Sequence, residues 1–275
     1  MFAKKSLGQN FLKSKGAISA IIETAEIQPG ETILEIGPGK GALTEKLLES
    51  GAKVTAIEKD SNLIVFLKEK FSDEIQDGKL KLICDDILDF NELEVKKDYK
   101  LIANIPYYIT GLIIRKFLSS KNQPQKAVLL VQKEVSNRIC ASNKTISKKP
   151  CSQKESILSI SVKIYGKPKI IKIVRAGSFV PVPKVDSAIL LIDDINKKLF
   201  KDNRVDEKIF FDFVKAGFSH KRKILAKNLE LVLKKYSVKK DRLLLAFKKI
   251  GLDPKTRAED LSINDWLCLI NIIFS

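Results

Sequence analysis

The chain has 275 residues, enough for one well-buried core and a smaller second domain. Hydrophobic residues make up 44% of it, which excludes wholesale disorder, and its longest apolar runs, such as 127–131 and 266–270, are far too short to span a bilayer. Four cysteines without C-x-x-C spacing and a single histidine argue against a structural metal or a disulfide framework, and a formal net charge of +17 points to a polyanionic partner.

Met1 to Leu12 is basic and lacks an apolar signal core, so a soluble cytoplasmic protein is expected. Ile18, Ile21, Ile22 and Ala25 then recur at helical spacing, and Pro29-Gly30 ends that helix. Thr32 to Ile36 reads as a buried strand. Gly37-Pro38-Gly39-Lys40-Gly41 forms a tight turn into a helix over 42–49, the opening of a doubly wound nucleotide-binding α/β fold. Taken alone, the glycine pattern fits a plain turn equally well.

The next strand, 53–57, ends at Glu58, about 20 residues past the first glycine, where this fold places a carboxylate on ribose hydroxyls. A helix over 63–71 leads to a strand over 79–84 that ends in Asp85-Asp86. A carboxylate at that strand end can accept from an adenine amine, and Asp86 is the better placed of the two; either Asp can instead cap the segment that Ile87 begins. The run 99–103 is a fourth strand, stopped by Asn104-Ile105-Pro106-Tyr107. Gly37, Glu58, Asp86 and Asn104 thus lie at the ends of four successive strands and converge on one crevice.

The 104–107 stretch has a chemical reading beyond a strand stopped by proline. An exocyclic amine is a poor nucleophile because its lone pair is delocalised into the ring. An Asn carbonyl and the adjacent main-chain carbonyl of Ile105 can accept its two protons and return the pair to nitrogen, while the Tyr107 ring stacks on the base. The glycine spacing is not that of a dinucleotide site, and Lys40-Gly41-Ala42 lacks the Ser or Thr of a phosphate loop. A nucleoside without phosphates fits better; S-adenosylmethionine is such a ligand, with an electrophilic sulfonium.

Farther along, a helix over 110–118, a strand over 126–132, helices over 134–140 and 156–165, and strands over 169–174 and 187–192 complete the sheet. Between the last two strands, Pro181 and Pro183 keep the connection extended and can present Phe179 to the pocket mouth; the alternative is a phenylalanine folded onto the core. From Asn196 onward only helices are expected, over 207–218, 223–233, 240–248 and 263–273. The domains are therefore placed at 1–195 and 196–275. The tract Phe218 to Lys223 sets basic residues at a helix start, where they oppose the dipole, which suggests phosphate binding; the alternative for any isolated charge run is a solvated turn.

Charge follows the same division. Residues 21–120 carry 13 basic against 18 acidic side chains, 121–184 carry 14 against 2, and 201–260 carry 17 against 9. Only seven of the 50 basic residues are Arg, so a general lysine bias contributes to the total, but it does not explain an acidic first half. This is the distribution of a polyanion footprint beside a small-molecule pocket.

Together these residues resemble the KsgA family of small-subunit rRNA adenine N6,N6-dimethyltransferases over nearly the whole chain. Lys4 to Leu12 looks like its amino-terminal signature, Glu35 to Gly39 its cofactor loop, Asn104 to Tyr107 its catalytic motif and Phe179 to Ser187 its later motif; Phe218 to Leu225 and Gly251 to Ser262 match its helical tail. The resemblance implies a seven-stranded Rossmann-like class I methyltransferase sheet with a small all-helical carboxyl-terminal domain. It implies S-adenosylmethionine contacts from Asn10, Leu12, Gly37, Glu58, Asp86 and Asn104, with Tyr107 and Phe179 sandwiching the target adenine. The implied partner is small-subunit rRNA within a pre-30S particle, acted on by a monomer away from any membrane and without a metal. Two departures are visible: Tyr108 stands where the family usually has a smaller or polar residue after Pro-Tyr, and the loop Ser142 to Glu155 lacks the usual Pro-Gly start and Tyr-Gly end. Two alternatives stand beside this: a large-subunit rRNA adenine methyltransferase of the macrolide-resistance type, against which the tail argues, and a non-catalytic ribosome-assembly or nucleic-acid-binding factor.

Overall fold

A computed structural model describes residue 4 and residues 8–141 and 154–275. Lys5 to Leu7 of the amino-terminal signature, and all of the atypical loop except Lys154 and Glu155, lie outside the described residues. Packing divides the chain into two compact units, 1–137 with 166–196, and 138–165 with 197–275. The all-helical segment after 196 falls in the second unit, and residues 138–165, which sequence patterning groups with the sheet, pack with those helices.

In the first unit the elements run β1 (Phe11–Leu12), α1 (Lys15–Ala25), β2 (Thr32–Ile36), α2 (Ala42–Glu49), β3 (Lys53–Glu58), α3 (Ser61–Lys70), α4 (Ser72–Gln76), β4 (Leu80–Cys84), β5 (Tyr99–Asn104), α5 (Thr110–Ser119) and β6 (Lys126–Gln132). After α6 (Lys133–Ile139) and α7 (Ile157–Lys163), the chain returns with β7 (Lys167–Val174), β8 (Phe179–Val180) and β9 (Ser187–Asp193). The seven-stranded sheet has the order β4-β3-β2-β5-β6-β9-β7, parallel from β4 to β6 and antiparallel at β9 and β7. Its central strands carry few polar residues because helices cover both faces, as for any parallel sheet built from right-handed crossovers.

This order fixes where a ligand can bind. The chain goes from β2 to β3 on one side and later to β5 on the other, so the crevice at the carboxyl ends of β2 and β5 is a topological switch point. The register aligns Ile36 with both Ile57 and Ala103, which brings Gly37, Glu58 and Asn104 to one edge.

Two short strands escape the sequence pattern. Phe11–Leu12 and Phe179–Val180 pair antiparallel in a separate two-stranded sheet, with Leu12 opposite Phe179. The amino-terminal arm is thereby tied to the proline-rich connection.

Gly41 shows why three glycines are crowded into the first turn. It caps α2 with φ at +78°, and a Cβ there would meet the Phe71 ring at 2.5 and 2.8 Å. Phe71 is itself buried in the core, so the ring has no room to yield. Gly41→Ala combines left-handed strain with overpacking, each costing about 1–3 kcal/mol. The expected result is a melting temperature lower by roughly 5–10 °C in a thermal scan.

The second unit adds α8 (Lys198–Asp202), α9 (Glu207–Gly217), α10 (Leu225–Lys235), α11 (Lys240–Ile250) and α12 (Ile263–Phe274) to α7. Its core is aromatic. Phe200 meets Tyr165 and Phe210 edge-on at 5.6 and 5.4 Å, and Phe218 stacks on Trp266 at 6.3 Å. Gly217 makes the last contact possible, since a Cβ there would lie 2.5 Å from the Trp266 ring. His220, Lys221, Arg222 and Lys223 are exposed and stand just before α10 rather than within its first turn. Among the described residues, no helix is long and apolar enough to cross a membrane.

Candidate active site

An open cleft with an empty volume of about 920 Å³, its mouth included, lies at the carboxyl ends of β2 to β5. Asn10, Gly37, Glu58, Asp86, Asn104 and Tyr107 all line it. Leu12 does not; with Glu35 and Leu43 it lines a smaller adjoining pocket that shares Gly37 and Asn104 with the main cleft. Six of the eight residues expected at the site are therefore brought to one cleft and a seventh to its annexe.

Phe179 is the exception. It is fully buried, belongs to the hydrophobic core with Leu12 and Ile189, and lines neither pocket. In this structure it takes the alternative that the sequence left open, a phenylalanine folded onto the core, opposite Leu12 in the two-stranded ladder. The exposed aromatic at the cleft is instead Tyr108, whose ring lies over Gly8, 3.1 Å from where a Cβ would stand there. The sequence marks Tyr108 only as a departure from the family's smaller or polar residue after Pro-Tyr, because nothing in a Tyr-Tyr pair says which ring faces out.

Asn104 has a defined amide orientation. Its Nδ2 donates to the Asn10 carbonyl at 3.0 Å, so Oδ1 is the end left to accept, and no described residue donates to it. Ile105 donates its N–H to Leu130 O at 3.3 Å, and its own carbonyl accepts no hydrogen bond from a described residue. Two adjacent carbonyl oxygens at the β5 end thus accept from no described residue, that of Asn104 on a half-buried side chain and that of Ile105 on a residue buried at the cleft wall. Tyr107 is fixed by a 2.8 Å hydrogen bond between its hydroxyl and Ser187 Oγ on β9, and burial raises its pKa. The ring is neutral and held at its far end.

Glu58 is 7% exposed. Its carboxylate accepts from Gly39 N at 3.3 Å and Asp60 N at 2.9 Å, which ties the glycine turn to the end of β3. Burial raises its pKa, and the backbone hydrogen bonds act in the opposite sense. Asp86 accepts from Leu88 N at 2.9 Å and from Lys59 Nζ at 2.6 Å; the lysine hydrogen bond lowers its pKa and keeps it ionised. Asp86 therefore caps the turn that follows β4 while still facing the cleft.

The donor set discriminates between ligands. Among the described residues, Glu58, Asp85 and Asp86 face the cleft against a single cation, Lys59, which is already paired. Such a lining repels phosphates and favours a ligand with a positive centre. Gly39 adds a close approach: with φ at +59° and a would-be Cβ 2.9 Å from Phe11, it leaves backbone rather than side chain at the cleft wall. The residues present fit a phosphate-free nucleoside carrying a cationic centre, with carboxylates for hydroxyls and an amine at one end and amide acceptors at the other. Among the described residues, no group of His, Cys, Asp and Glu could hold a metal ion.

Comparison with known proteins places the chain in a family. The chain is 39% identical over 272 residues to ribosomal RNA small subunit methyltransferase A of Dehalococcoides mccartyi strain CBDB1, covering 97% of this chain and 88% of the relative. It is 38% identical over 275 residues to the protein of that name from Fusobacterium nucleatum, covering 98% and 97%. Among solved structures, a dimethyladenosine transferase from Plasmodium falciparum superposes with a TM-score of 0.76 at 29% identity, covering 94% of this chain and 95% of that one. The 23S rRNA methyltransferase ErmE shares the fold, with a TM-score of 0.71 at 24% identity over 97% of this chain and 100% of that one. The profile of the ribosomal RNA adenine dimethylase family matches residues 2–274, and the chain belongs to that family.

Proposed function

We propose that the chain is an S-adenosylmethionine-dependent 16S rRNA adenine N6,N6-dimethyltransferase, which modifies two adjacent adenines near the 3′ end of small-subunit rRNA during ribosome biogenesis. The observation that carries this reading is the pair of acceptors without a described donor, Asn104 Oδ1 and the Ile105 carbonyl, in the lining of an anionic, nucleoside-sized cleft.

Bound S-adenosylmethionine supplies an activated methyl group on a sulfonium. Glu58 accepts from the cofactor's ribose hydroxyls and Asp86 from its adenine amine, while the positive-φ turn at Gly37 lets the main chain lie against it. Asn10 and Leu12 close the cofactor side from the amino-terminal arm. The target adenine leaves its stack at a cost of a few kcal/mol, and stacking on the Tyr107 ring, about 1–3 kcal/mol, offsets much of that. Asn104 Oδ1 and the Ile105 carbonyl accept from the N6 protons, which restores electron density to nitrogen and aims its lone pair. Attack by the N6 lone pair breaks the sulfonium–methyl bond and leaves a cationic, acidic nitrogen that gives its proton to solvent water, so no strong base is needed.

The helical domain after 196, with its exposed 220–223 tract, grips rRNA phosphates, and binding weakens steeply with salt. The substrate is a pre-30S particle, the enzyme works as a monomer, and the compartment is the cytoplasm. Mass spectrometry of rRNA from cells with and without this gene tests the reading. N6,N6-dimethyladenosine is expected to vanish from small-subunit rRNA in the deletion. Unchanged modification overturns the assignment, and loss confined to large-subunit RNA transfers it to the macrolide-resistance type.

A further inference from the structure

We propose that Asp60 is the anchor through which the amino-terminal arm sets the Asn104 amide and closes the cofactor side of the cleft, a positioning role that rests on the reading of the cleft given above. Asp60 lies two residues past Glu58, and its side chain is 4% exposed. Capping α3 occupies one of its oxygens: Oδ1 accepts from Asn62 N at 3.1 Å. The remaining bonds go to the arm. Lys4 Nζ reaches Oδ1 at 2.7 Å, and Gln9 Nε2 reaches Oδ2 at 3.0 Å. Gln9 is itself held the right way round, because its Oε1 accepts from Lys4 N at 2.7 Å. Burial pushes the Asp60 carboxyl up, and the hydrogen bonds from Lys4 and Gln9 outweigh it, leaving the group below the usual range.

The arm runs directly from this anchor to the reacting centre. Gly8 to Phe11 line the cleft, and the Asn10 carbonyl receives Asn104 Nδ2, the bond that leaves Oδ1 free to accept. Beyond Asn10 the arm is held again, by the ladder of Phe11–Leu12 to Phe179–Val180 and by Lys13 N on Ser178 O at 2.9 Å. Gly8 to Asn10 is therefore a short bridge between two fixings. The ladder fixes one end, and at the other the tether recorded for the described residues is Asp60. Asp60 also donates its N–H to Glu58, so one residue braces both the ribose carboxylate and the arm. A residue that only capped α3 would need neither the second oxygen nor the charge.

Asp60→Asn separates these duties, because Asn is as good a helix cap as Asp. It retains Oδ1 for Asn62, loses the attraction for Lys4 and can set an amide donor against Gln9 Nε2. The experiment uses the full chain with Asp60→Asn, Gln9→Ala and the double variant. It measures S-adenosylhomocysteine affinity by calorimetry and single-turnover methyl transfer to small-subunit rRNA at saturating cofactor. Asp60→Asn is expected to weaken affinity about tenfold and to lower the saturated rate, Gln9→Ala to act in the same direction, and the double variant to be no worse than the larger single effect. Affinity and rate within twofold of wild type in Asp60→Asn, or effects that multiply in the double variant, overturn the anchor. If Asp60→Asn does not fold, Lys4→Ala/Gln9→Ala carries the test, and wild-type affinity and rate in that pair overturn it equally. Failure of the wild-type chain to bind S-adenosylhomocysteine overturns the cleft reading itself, whereas binding that is indifferent to Asp60 overturns the anchor alone.

Discussion

Asn104→Ala is expected to lower the single-turnover rate of methyl transfer by about 10²–10³-fold, the usual effect of removing one preorganised polar group aimed at a reacting centre. The side chain is only partly buried and bonds to a single main-chain carbonyl, so the melting temperature should change little. Asn104→Asp divides the residue's two jobs: it keeps an acceptor and loses the donor to the Asn10 carbonyl. Its rate should fall between those of wild type and the alanine variant, with a poorer S-adenosylhomocysteine affinity as the arm is released. Equal rates for wild type and Asn104→Ala would remove the amide from the chemistry and leave the Ile105 carbonyl as the sole acceptor.

The readable part of this protein was whatever depends on periodicity or on strand ends. Strands β2, β3, β4 and β5 have mainly apolar centres, and the residues at or just past their carboxyl ends carry the chemistry, so Gly37, Glu58, Asp86 and Asn104 could be placed at one edge from the sequence. Pairing between distant short segments was not readable. β1 and β8 have two residues each, too few for any alternation to register, yet their ladder decides that Phe179 faces the core. Helices α4 and α8, of five residues each, escaped for the same reason. Asp60 was passed over as one acid among many in an acidic stretch. Only the fold shows that its carboxylate meets residues more than 50 positions earlier.

Glu35 shows how an apolar strand can contain a group whose chemistry the sequence conceals. It lies on β2, 1% exposed, next to the cofactor turn, and its Oε2 has no hydrogen-bond partner. Burial raises its pKa to about 8; Thr44 opposes the rise and the neighbouring Glu58 adds to it. The folded protein therefore holds this carboxyl protonated at neutral pH, whereas the unfolded chain ionises it near 4.5. Between those values folding takes up a proton, so stability falls as pH rises, by about 1.4 kcal/mol per pH unit and about 5 kcal/mol over the whole window. Below 4.5 both states are protonated and this loss disappears; above 8 both are ionised and it stays constant. Glu35→Gln fills the same volume with a group that cannot ionise, so it removes the dependence. The variant and the wild type should melt within a few degrees of each other at pH 5. At pH 8.5 the variant should melt higher by on the order of 10 °C, corresponding to about 5 kcal/mol. Parallel melting curves for the two proteins across that range would mean that Glu35 is ionised in the folded state, and that a cation or water reaches the pocket beneath the glycine turn.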